Sequence, residues 1–127
     1  SLIILLFTLL TAPTCNTQAE KNPAVAPGCF KGKLVIKGIC MNYVVQVVAG
    51  DTSKLNLDAT WVDESTGKIY NNVFALGSKC NFPDMPEGDE FYFTLAGKPE
   101  EGCNVCMAYR PVPAAANHIV IHKQGCP

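Results

Sequence analysis

Signatures of the common enzyme classes are missing from this sequence. It has no Gly-x-Ser-x-Gly elbow, no phosphate-cradling glycine loop ending in Gly-Lys-Ser/Thr, and no His-Glu-x-x-His zinc motif. Four serines and two histidines are present, but nothing in their placement selects a Ser/His/Asp triad. Asn-x-Ser/Thr sequons are absent. Charge is scarce and balanced, with 10 Lys+Arg against 11 Asp+Glu, for a net charge of −1. That is far from the basic excess of a nucleic-acid binder. No block of lysines and arginines offers a polybasic membrane patch. The aromatics of "EFYF" stand beside acids, whereas a stacking platform for single strands interleaves them with bases. No window of a dozen residues has the 3.6-residue period of an amphipathic helix, and no apolar run reaches the ~20 residues of a membrane-spanning helix.

What is present begins with "SLIILLFTLLTA" (Ser1 to Ala12), apolar and uncharged. Its length suits the hydrophobic part of an export signal. Prolines and polar residues follow in "PTCNTQAEKNPAVAPG" and break any helix. The signal is therefore expected over residues 1–19. Residues 16–27 read as a flexible tether, and 28–127 as a single domain.

Seven cysteines in so short an exported chain imply an oxidising compartment and a disulfide framework. Position resolves the odd number. Cys15 lies just after the apolar run, and the other six (Cys29, Cys40, Cys80, Cys103, Cys106, Cys126) lie in the domain. Cys15 either leaves with the signal after Ala19 or becomes a lipid anchor, as in bacterial lipoproteins. The preceding "APT" departs from the lipoprotein box, so both fates stay open.

Beyond the tether the period is two. "KGKLVIKGI" sets Lys31, Lys33 and Lys37 on one face, a common guard of an exposed sheet edge, against Leu34 and Ile36. "YVVQVVAGD" is a second strand. "KLNLDATWVDE" puts Leu55, Leu57, Ala59 and Trp61 on one face. "DESTGK" is a hairpin turn with Gly67 at the positive-φ position, and "KIYNNVFAL" returns from it. "EFYFTLAG" turns Phe91, Phe93 and Leu95 inward, and "NVCMAYR" and "HIVIHKQ" are expected to pair across "PVPAAAN". About seven short strands with frequent turns predict an all-β domain, a small disulfide-stabilised barrel or sandwich. The stretches "GKLVIKGICMNY" and "NVFALGSKCNF" resemble small exported, lipoprotein-like β proteins of Bacteroidota. The resemblance implies export and carries no catalytic residues.

The Cys-x-x-Cys of "EGCNVCMAYRP" admits three readings. A thiol oxidoreductase needs a helix after the pair to activate a thiolate, and none is available here. Cys103, Cys106, His118 and His122 nearly match zinc-finger spacing. In a strand, however, the two histidines stand about 13 Å apart, too far to share one zinc easily. The third reading makes both cysteines structural and bonded elsewhere. Extended residues three apart are about 10 Å apart, whereas a disulfide needs less than about 7 Å. The repeat of "CMNY" and "CMAY" points to Cys40–Cys106, with Met41, Tyr43, Met107 and Tyr109 packed together on the opposite face. Cys80–Cys103 and Cys29–Cys126 complete one of 15 possible connectivities.

Copper held by Met and His, or calcium held by Asp84, Glu87, Asp89 and Glu90, would need denser or more regular ligands than these. No cofactor is expected, and no enzyme activity. The expected function is an exported, non-catalytic binding or interaction module for a protein or small molecule. It would sit in the periplasm, outer membrane or cell surface, touching a membrane only through its signal or lipid anchor. The rival is a metal or thiol-redox protein using Cys103 and Cys106 with His118 and His122. A third reading is a secreted enzyme inhibitor presenting "NFPDMPEGD".

Overall fold

Strict alternation makes "FKGKLVIK" a strand. In the computed structural model, which describes residues 25–99 and 102–127, Phe30–Lys37 forms β1. Phe30, Gly32, Leu34 and Ile36 are buried, with the lysines on the other face. The following strands are Tyr43–Ala49 (β2), Asp58–Val62 (β3), Ile69–Leu76 (β4), Glu90–Leu95 (β5), Ala116–Asn117 (β6) and Ile119–His122 (β7). Two short 3-10 turns, Ile39–Met41 and Thr52–Lys54, are the only helical elements among the described residues.

All seven strands belong to one sheet in the order β3-β4-β2-β1-β5-β7, with β6 paired to β4. Every pairing is antiparallel except β4 with β6, which is parallel. The domain is therefore all-β and braced by three disulfides, with a single sheet that no continuous ladder closes. Residues 116–122 bridge its two sides. Before His118 they pair with β4, and after it with β5. Asn117 reinforces the bridge. Its buried amide accepts from Asn56 N–H at 3.0 Å and donates to Asn56 C=O at 2.7 Å. Ser78 Oγ meets both polar groups of Ile119, donating to its C=O at 3.0 Å and accepting from its N–H at 2.8 Å.

Phe30, Phe74 and Phe93 fill the centre. Phe30 and Phe93 stack at 5.2 Å, and Phe74 meets Phe93 edge-on at 5.8 Å. Gly32 permits this. A Cβ there would lie 2.9 Å from Val45 and 3.0 Å from the Phe93 ring. On β2, the neighbours Val44 and Val45 are both fully buried, although they point to opposite faces. Val45 joins the phenylalanine core. Val44 joins Ile36 and Val73 in a second cluster, roofed by Trp61, Tyr70 and Val112. A strand covered on both faces reads as a continuous apolar run, which is why "YVVQVVA" lacks clean alternation.

Several expectations are corrected. β1 is not an edge, because β2 and β5 pair on either side of it; its lysines mark the outer face only. "NVCMAYR" is not a strand, and β7 pairs with β5 instead. Leu95 and Ala59 are exposed, unlike Phe91 and Phe93. The expected signal, the Cys15 anchor and most of the tether lie outside the described residues.

A candidate interaction site braced by two disulfides

The cysteines place a stretch of chain that the sheet does not hold. Cys40 and Cys106 are bonded with Cα atoms 4.9 Å apart, and Cys80 and Cys103 with Cα atoms 5.5 Å apart. Cys29 and Cys126, 5.8 Å apart, join the residue before β1 to the chain beyond β7. These are the pairs set out from the sequence above. Three such bonds mark an oxidising compartment, and no described helix is long and apolar enough to cross a membrane.

Two disulfides thus grip the segment running from Cys103 to Cys106, and residues 102–109 are exposed except for half-buried Val105. Met107 is 92% exposed and Tyr109 80%, and Ile39, the chain neighbour of Cys40, is exposed as well. The expected packing of Met107 and Tyr109 on Met41 and Tyr43 does not occur. Met41 and Tyr43 turn to the core, where Tyr43 meets Phe82 edge-on at 5.4 Å. The cause is the tight turn before β2. Cys40 and Met41 take left-handed backbone (φ 55° and 59°), so the "CMNY" stretch is not extended.

The segment is also held from behind. Asn42 Nδ2 donates to Ile39 C=O at 2.9 Å and to Ala108 C=O at 2.8 Å, tying the turn to the segment. Arg110 then turns inward and donates to the Asp63 carboxylate at 2.7 Å and to Pro111 C=O at 2.9 Å. Gly38 leaves room for the arginine stem; a Cβ there would lie 2.6 Å from Arg110 Cδ. Asp63 is fully buried at the end of β3 and also accepts from Ser65 N–H at 2.9 Å. Burial works against its charge, but the Arg110 hydrogen bond and the Ser65 N–H outweigh it. The carboxyl is held below the usual range. The pair was not foreseen from the sequence, in which Asp63 reads as an ordinary turn residue 47 positions from its partner.

The rival sites are not assembled. Cys103 and Cys106 are in disulfides with different partners and are not thiolates. His122 Nε2 lies 2.9 Å from Thr94 Oγ1, while His118 Nδ1 is buried with no hydrogen-bond partner among the described residues. No described group of three or more His, Cys, Asp or Glu is arranged to hold a metal ion. Three of the four carboxylates Asp84, Glu87, Asp89 and Glu90 go to the lysines of β1. Asp84 pairs with Lys37 Nζ at 2.8 Å, Glu87 accepts from Lys37 N–H at 2.8 Å, and Glu90 pairs with Lys31 at 3.2 Å. Partnership with Lys37 lowers the Asp84 pKa and raises that of Lys37. "NFPDMPEGD" is accordingly fastened down as well. Phe82 and Met85 pack on the core, and Gly88 N–H bonds Leu34 C=O at 2.7 Å. A cavity of ≈ 620 Å³ beside the start of β1 is walled by Val25, Pro27, Phe30 and Leu95, with Asp51 and Lys54. It contains no histidine and no free thiol.

Compared with known proteins, the chain matches no family model, no curated protein and no solved structure.

Proposed function

We propose that the chain is an exported, non-catalytic binding module that meets a protein partner through residues 103–109 and Ile39. One observation carries this reading. Large apolar side chains stand almost wholly in water on a segment that two disulfides, Asn42 and Arg110 hold in one shape. Isolated exposed apolar residues are common, but fixing them covalently is not needed for solubility. Pre-organisation lowers the ordering cost of association, which is the advantage a binding surface gains. Delivery by a cleaved signal or a Cys15 lipid anchor, to the periplasm, outer membrane or cell surface, fits the disulfide chemistry.

The test has two arms. Titration of the folded, unreduced domain should find no free thiol among the six domain cysteines and no stoichiometric metal. Two reactive thiols together with bound zinc or copper would overturn the reading. In the second arm, a Met107→Asp/Tyr109→Asp variant should lose a partner that the unaltered protein captures from envelope or culture medium. Equal capture by both proteins would also overturn it.

A further inference from the structure

The geometry points to a specific partner: we propose that residues 105–109 lie in the substrate cleft of a serine peptidase, with the Met107 side chain in an apolar primary pocket. This rests on the binding-module reading above and narrows it.

Residues 106–109 are all exposed, so a concave partner can enclose their side chains. The segment's main chain also offers unused bonding groups. Among the hydrogen bonds of the described residues, none engages the backbone of Asn104, Val105, Cys106 or Met107. The neighbouring carbonyl of Ala108 is held from the inner side by Asn42. An exposed strip with unpaired N–H and C=O groups suits a partner that adds it as a strand and reads alternate side chains in pockets. Peptidase clefts of the chymotrypsin type do this and supply one deep apolar slot. Among the described residues Met107 is the most exposed large apolar one, unbranched and flexible enough to fill such a slot. Ala108, next in line, leaves little bulk beside the reacting carbonyl.

The supports also explain why such a peptide would resist turnover. Attack of the peptidase's serine on the Met107 carbonyl breaks the Met107–Ala108 bond, leaving a Met107 acyl ester on the enzyme and a free Ala108 amine, and water must then cleave the ester to complete hydrolysis. Neither new end can drift away. Cys106 and Cys103 hold the first, while the Asn42 bond to Ala108 and the Arg110–Asp63 pair hold the second. The ends stay opposed in the cleft, where the amine can re-attack the acyl-enzyme and release the peptidase's serine.

The experiment uses the full, unreduced chain against chymotrypsin, subtilisin and elastase, with a small chromogenic substrate reporting activity. At least one enzyme should be inhibited at about micromolar concentration or below. Met107→Asp should weaken that inhibition about 100-fold, and Met107→Leu should retain it. Because Met107 is 92% exposed, both variants should fold, which circular dichroism and thiol counting verify. No inhibition of any of the three, inhibition indifferent to Met107→Asp, or rapid cleavage after Met107 with recovery of activity would each overturn the proposal. If capture of a partner nevertheless depends on Met107 and Tyr109, the binding-module reading stands and only the peptidase falls.

Discussion

Replacing Arg110 with Met keeps most of the side chain's apolar length and removes its charge, leaving Asp63 buried without a counter-ion. Asp63 has 1% of its side chain in water and Arg110 20%. Breaking a buried pair from one side typically costs about 3–5 kcal/mol. Because a fifth of the arginine is hydrated, the lower end applies, about 3 kcal/mol at neutral pH. The pH dependence has a definite sign. In the unaltered protein the Asp63 pKa is depressed by folding. Its contribution is therefore complete above the unfolded value of about 3.9 and fades as pH falls through the folded value. In the variant, burial is opposed mainly by the Ser65 N–H, so the folded pKa rises, and protonation on acidification relieves the buried charge. The gap between the two proteins should thus be widest at about pH 7 and shrink toward about 1 kcal/mol near pH 3.5, the net value of one lost hydrogen bond. Urea unfolding of both proteins at neutral and acid pH measures it. A gap below about 1 kcal/mol at neutral pH, or one that widens in acid, would refute the reasoning.

Other perturbations probe the remaining supports. Removing the Cys40–Cys106 bond with paired alanines frees a 66-residue link. That is worth about 4 kcal/mol by chain entropy, less roughly 1 kcal/mol for relief of each left-handed residue at Cys40 and Met41. Guanidinium unfolding should show a net loss of about 2 kcal/mol, and an unchanged midpoint would contradict it. Asn117→Ala leaves the Asn56 N–H without its partner inside the bridge, which should cost about 1–3 kcal/mol; a thermal melt matching the parent would show that the bridge does not need it. Gly32→Ala drives a methyl against Val45 and Phe93 and should destabilise by about 1–3 kcal/mol, read as a lower melting temperature.

Local pattern carried the sequence reading where a signal was confined to one strand. The alternation in "KGKLVIK" correctly placed Leu34 and Ile36 inside and the lysines outside. It could not show that β5, some sixty residues later in the chain, would pair alongside and turn an apparent edge into the middle of the sheet. "NVCMAYR" alternates equally well yet joins no ladder. Pro111 and Pro113 lack the N–H that a ladder requires, two disulfides draw the chain aside, and Arg110 is pulled to Asp63. The exposure of Met107 follows from those three long-range pulls, none of which is visible in a window of seven residues. The cysteine partners were readable because parity and the Cys-Met-x-Tyr repeat limit the choices, even though the backbone geometry assumed for the repeat was not the one adopted.

The order of the sulfurs along the chain has a consequence for biogenesis. Numbered from the first domain cysteine to the last, the bonds join one to six, two to five and three to four, each enclosing the next. As the chain is threaded out head first, Cys29 and Cys40 meet each other long before either correct mate has emerged. Premature oxidation would trap that mistaken link, and only thiol exchange can undo it. Efficient maturation should therefore depend on a shuffling catalyst in the receiving compartment, and a host with an oxidase but no isomerase should accumulate scrambled isomers of this protein.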